Sequence, residues 1–77
     1  MPDTQNFHIG VKVKYKKNPN PVEVIYDVKD INVYVRDGKV TAYCEMSPDK
    51  DYPISEGGYI SKANTSEANV LELDIVI

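Results

Sequence analysis

A chain of 77 residues, 42% of them hydrophobic and with a formal charge of −3, makes one small domain that buries only about 60% of its unfolded surface. Valine, isoleucine and tyrosine dominate the apolar set, which suits a folded β domain better than a disordered chain. No stretch has the apolar length a transmembrane helix needs, and the single cysteine excludes an intramolecular disulfide framework.

Residues Met1 to Asn6 lack the basic region and apolar run of a signal peptide. They read as a flexible tail, with residues 7–77 forming one β domain. The lone Cys44 and the absence of a leader together predict a reducing, cytoplasmic setting. From Phe7 to Lys16 the sequence alternates. Ile9, Val11, Val13 and Tyr15 fall on one face, and Lys12, Lys14 and Lys16 fall on the other, as in a half-buried strand. Asn18-Pro19-Asn20-Pro21 ends it, because proline removes ladder donors and restricts the residue before it. A second strand follows over Val22–Val28, with Val22, Val24, Tyr26 and Val28 on one face and Ile25 among the polar residues opposite. Lys29-Asp30 reads as a short connection.

The clearest local signal comes next. Ile31–Arg36 and Lys39–Met46 both alternate, and Asp37-Gly38 stands between them. Asp-Gly favours a two-residue type I′ turn, since both positions need positive φ. That turn sets Arg36 opposite Lys39 and fixes the register of the whole hairpin. Ile31, Val33, Val35, Val40, Ala42 and Cys44 then share an apolar side, which reads as core. Asn32, Tyr34, Arg36, Lys39, Thr41 and Tyr43 share the other. A slip of one residue would destroy this sorting.

Ser47 to Gly58 holds two prolines and two glycines among charged residues and reads as a long loop with a short extended piece around Tyr52–Ile54. Tyr59–Ser61 reads as a brief strand. Asn64 with Glu67 has capping-box spacing and predicts a single helical turn. Val70–Ile77 is the strongest apolar run, with Leu71, Leu73, Ile75 and Ile77 on one face of a final strand. Five strands, or six with the brief one, joined by short connections and almost no helix, predict an all-β antiparallel barrel or small sandwich. The order of a first strand, a proline-rich turn, a second strand and a tight hairpin over Phe7–Met46 resembles SH3-like small barrels in general architecture. No diagnostic motif accompanies it.

Catalytic chemistry is thin. His8 is the only histidine and has no partner at a readable spacing, whereas a general base needs a positioned one. One cysteine and one histidine cannot build a structural zinc site. Asp49, Asp51 and Glu56 cluster in a loop, but Pro53 and Ile54 occupy places where a calcium loop needs an oxygen ligand and a glycine. The reading is therefore a non-enzyme with no metal and no cofactor.

Three binding readings remain. The first is a protein-binding module of accessory or inhibitor type, of the kind phages and mobile elements encode. It would act through Asn32, Tyr34, Arg36, Lys39, Thr41 and Tyr43, because tyrosine and arginine are enriched at interface hot spots. The apolar strand Val70–Ile77 adds a route to self-association. The second is a single-stranded nucleic-acid barrel using Lys12, Lys14, Lys16 and Lys17, which crowd the first strand with no acid among them, while seven acids lie from Glu45 onward. The third is a small-ligand carrier with the Ser47–Gly58 loop as a lid.

Overall fold

The structure, a computed structural model, describes residues 7–76. The expected tail at Met1–Asn6 and the last residue of the apolar run, Ile77, lie outside the described residues. The fold is all-β. Its strands are β1 (Lys12–Tyr15), β2 (Ile25–Arg36), β3 (Lys39–Pro48), β4 (Tyr52–Pro53), β5 (Tyr59–Ile60), β6 (Ser66–Asn69) and β7 (Leu73–Ile75), with a 3-10 turn at Val70–Glu72. Five of them form one antiparallel sheet in the order β6-β3-β2-β1-β7, and β4 pairs with β5 apart from it.

β6 and β7 lie at opposite edges of that sheet, yet only the three residues of the 3-10 turn join them. Consecutive Cα atoms are about 3.8 Å apart, so so short a link obliges the sheet to curl until its edges approach. Asn69 caps the turn by accepting from the Leu71 N–H at 2.9 Å, and Lys16 N–H donates to the Glu72 carbonyl at 2.9 Å. The inside of the curl holds Val13, Val24, Tyr26, Val28, Cys44, Met46, Ala68 and Leu73. Apolar side chains are placed there by strand alternation, and their burial is the main stabilising term.

β2 is one twelve-residue strand where the sequence suggested two strands and a connection. Val28 pairs with Met46 and Asp30 with Glu45, leaving Lys29 as an extra, bulged residue. The bulge has a clear cause. Val28 and Ile31 are three positions apart and would fall on opposite faces of a regular strand. One inserted residue restores them to the same face.

The hairpin register is the expected one, from Arg36 opposite Lys39 to Ile31 opposite Cys44. Asp37 and Gly38 take φ of 52° and 76°, as a type I′ turn requires. The assignment of its apolar side to the core holds only at the base. Cys44 is buried and Ile31 half-buried, whereas Val33, Val35 and Val40 are 62%, 73% and 72% exposed. β1 pairs with β2 only at Ile25–Asp27, and its flanking backbone bonds end at Val28. β6 pairs with β3 only over Tyr43–Met46. The outer half of the hairpin therefore extends past every neighbouring strand as a two-stranded arm, about 20 Å long at 3.3 Å per residue. The molecule measures 46 × 26 × 18 Å.

Other elements depart from the sequence reading for local reasons. β1 begins at Lys12 because Gly10 turns the chain at φ +94° and donates to the Val28 carbonyl at 2.8 Å, which leaves Ile9 exposed. Asn64 and Glu67 form no helical turn: Ser66–Asn69 is strand β6, bound to β3. The expected final strand is divided, since the 3-10 turn takes Val70–Glu72 and turns Leu71 out to 78% exposure. What remains, Leu73–Ile75, pairs internally with β1. The extended pieces at Tyr52 and Tyr59 are present as β4 and β5.

The division between body and arm sets an expected contrast in stability. Met46→Ala empties a fully buried site and should lower unfolding free energy by about 2–5 kcal/mol in urea titrations. Val35→Thr, on the arm, should change it by no more than about 0.5 kcal/mol.

Candidate functional site

The polar side of the arm gathers most of the residues expected to contact a partner. Tyr34 and Tyr43 sit diagonally across β2 and β3, with ring centroids 5.8 Å apart and planes at 66°. This edge-to-face geometry suits the quadrupoles of the two rings. Tyr34, Arg36, Thr41 and Tyr43 line a shallow depression of about 260 Å³ together with Glu67. Asn32 is held at its base by donating from Nδ2 to Glu45 Oε2 at 3.4 Å. Lys39 lies at the tip, paired with Arg36. Glu67 escaped the sequence reading because it belongs to β6, whose four residues carry a weak strand pattern. Once β6 pairs with β3, Glu67 stands opposite Glu45.

The arm also presents unpaired backbone. A two-residue loop makes Arg36/Lys39 the hydrogen-bonded pair, and bonded pairs then alternate down the ladder. The N–H and C=O groups of Ile31, Val33 and Val35 on β2, and of Val40 and Ala42 on β3, consequently point outward. At Ile31 the N–H is taken by its neighbour: it donates to Asp30 Oδ1 at 2.9 Å. The turn fixes this edge, and the exposure of the valines makes it accessible.

The lysines of the nucleic-acid reading are engaged within the chain. Lys12 lies 2.8 Å from Asp27 and 3.8 Å from Asp49, Lys14 2.9 Å from Glu23, Lys16 3.6 Å from Asp74, and Lys17 2.6 Å from Glu72. Hydrogen bonds to Asp27, Glu23 and Glu72 respectively are the first cause raising the Lys12, Lys14 and Lys17 ammonium groups above the ordinary lysine value. Basic and acidic segments that are distant in sequence thus interleave on the body. Among the described residues, Asp30, Arg36, Lys39, Glu45 and Glu67 join none of these ion pairs. Lys50, Asp51, Glu56 and Lys62 join none either, so charge without an internal counterion lies both on the arm with its base and around the β4–β5 segment.

The Ser47–Gly58 segment, expected to be one long loop, contributes no residue to the depression, and its first two residues, Ser47 and Pro48, are the buried end of β3 opposite Asp27 and Tyr26. The rest of it is tied to the body. Tyr52 Oη donates to Asp49 Oδ1 and accepts the Ile25 N–H at 3.1 Å, and burial is the first cause raising its phenol above the ordinary tyrosine value. Asp51 accepts the Lys62 N–H at 2.8 Å. Two acids of the segment are thereby engaged, Asp49 by Tyr52 and Lys12 and Asp51 by the Lys62 backbone. No group of three metal-ligating side chains is found among the described residues, nor any helix long and apolar enough to cross a membrane. His8 is exposed, with Nδ1 2.8 Å from the Ile9 carbonyl oxygen.

Cys44 is fully buried in the core. Burial, with a lesser contribution from Glu67, pushes its thiol from the ordinary 9.0 up to about 11. Comparison with known protein families, curated proteins and solved structures returns no match.

The Cys44 shift has a definite sign. The folded chain retains the thiol proton that the unfolded chain releases, so the contribution of this group to stability falls as pH rises from about 9 to about 11. Cys44→Ala should flatten that part of the pH–stability profile, and the thiol should react with an aromatic disulfide reagent only after unfolding.

Proposed function

We propose that the chain is a non-catalytic interaction module, an SH3-like small barrel that binds protein through its protruding β2–β3 arm. The strand order β6-β3-β2-β1-β7 and the 3-10 turn joining its two edges support the barrel architecture. One observation carries the function: Val33, Val35 and Val40 are 62%, 73% and 72% exposed beside Tyr34 at 51%, on a two-stranded element whose backbone edges no other described strand covers. A small domain has little apolar material to spare, and a cluster of exposed apolar side chains on an extended element marks an interaction site. Open edges add main-chain hydrogen bonding to any extended partner, and alternate side-chain contacts supply selectivity.

Asn32, Tyr34, Arg36, Lys39, Thr41 and Tyr43 form the contact surface on one side of the arm, and the valines form it on the other. Tyr34 and Arg36 are the anchors of this surface, as aromatic and guanidinium groups dominate binding energy at protein interfaces. The nucleic-acid reading draws no comparable support, because each of its four lysines already faces a carboxylate.

A photo-crosslinking amino acid placed at Val35 tests the reading in the cell that expresses the chain. Light-dependent protein adducts should form there and should disappear when Tyr34→Ala and Val40→Lys are added. The same probe at exposed Glu56 should yield none. Equal labelling from both positions would refute the assignment of binding to the arm.

A further inference from the structure

The open edge of β2 has a sequence complementary to itself. From Lys29 to Asp37 the chain reads Lys-Asp-Ile-Asn-Val-Tyr-Val-Arg-Asp. Laid antiparallel on a second copy with Val33 opposite Val33, the regular part of the strand pairs Asp30 with Arg36 at both ends, Ile31 with Val35 and Asn32 with Tyr34. A slip of two residues is the smallest that keeps every side chain on its face. Such a slip sets Arg36 against Asn32 or Val28 and loses both charge pairs.

Among the described residues this same stretch is left available. Their coverage of β2 ends at Val28, whose N–H donates to Val11 and whose carbonyl accepts from Gly10. Beyond it the outward backbone groups belong to Ile31, Val33 and Val35, the residues that the two-fold register would hydrogen-bond across the seam. Asp30 and Arg36 are exposed and, among the described residues, form no ion pair. The β3 edge offers less, since it is open only from Lys39 to Ala42 before β6 begins at Tyr43.

We infer that a second copy of this chain adds to the β2 edge as a two-fold antiparallel pair centred on Val33, joining two arms into one four-stranded sheet. This rests on the arm being a protein-binding element and names its partner. Arg36 of one copy draws the Asp30 carboxylate of the other away from the Ile31 N–H. That N–H is then free for the Val35 carbonyl across the seam. Ile31, Val33 and Val35 of both copies form one continuous apolar stripe. In the lone chain Asp30 blunts the edge, and in the pair it supplies the ion pair that fixes register. The contact is isologous and closes at two copies. One strand from each side is a small interface, so association is concentration-dependent.

Exchanging the charges tests the register. Asp30→Arg places like charges at both ends of the seam, and so does Arg36→Asp, so each variant alone should self-associate at least about tenfold more weakly than the parent in sedimentation velocity. An equimolar mixture of the two should recover a heterodimer, because every 30–36 contact is then of opposite charge. Both sites are exposed, and circular dichroism should report an unchanged fold. Oxidation of Val33→Cys should give a covalent dimer, whereas Val40→Cys should not, because a hydrogen-bonded antiparallel pair brings Cα atoms to about 5.5 Å, within disulfide reach.

A parent chain that stays monomeric at high concentration would overturn the inference, as would a mixture no stronger than its components or preferential crosslinking at Val40. Adducts of Val35 with a different protein, alongside a monomeric parent, would remove the second copy and retain the arm as a binding element. A monomeric parent with no arm-specific adducts would remove both.

Discussion

The turn at Asp37-Gly38 is the constraint on which the rest of the molecule depends. Both residues take positive φ, which glycine accepts without penalty and aspartate tolerates better than most. With only two residues in the loop, the alternation of bonded and non-bonded pairs is fixed from the turn down to the bulge at Lys29. That one choice decides which side chains face the core at the base of the hairpin. It decides equally which backbone groups remain unpaired at its outer half. Core packing and edge chemistry are thus consequences of the same local geometry, at opposite ends of two long strands.

The bulge at Lys29 connects those ends. Without it, the apolar face of Tyr26 and Val28 would continue as the face of Asp30 and Asn32, and Ile31 would leave the core. With it, one apolar face runs from Tyr26 through Val28 and Ile31 to Val33 and Val35. The body covers the first part of that face and then stops, because β1 and β6 are short and flank only the base. An apolar stripe that would ordinarily be buried continues into solvent. Its exposure is a matter of strand length more than of composition.

This explains why some of the structure was legible in the sequence and some was not. Alternation and turn chemistry are local, so the hairpin register and the burial of Cys44 could be read from residues 31–46. Whether Val33, Val35 and Val40 are covered depends on how far β1 and β6 reach, and nothing within the hairpin encodes that. The lysines of β1 posed the same difficulty. Four closely spaced cations look like a basic track until β2, the residues just before it and the β7 region bring Asp27, Glu23, Glu72 and Asp74 beside them. Leu71 and Glu67 were misplaced because a 3-10 turn and a short polar strand leave little periodicity to detect. The candidate tyrosines and Arg36, by contrast, were found together because register alone brings them together.

The outer backbone of the arm, apart from the Ile31 N–H held by Asp30, therefore has no partner among the described residues. Amide hydrogen exchange in dilute solution measures this most directly, residue by residue. The N–H groups of Tyr34 and Thr41, which lie on the bonded pairs of the ladder, should exchange more slowly than those of Val33, Val35 and Val40, which point outward. Protection of Val33 and Val35 as strong as that of Val28 in the core, at concentrations where the chain is a monomer, would show that the edge is covered and would contradict the account.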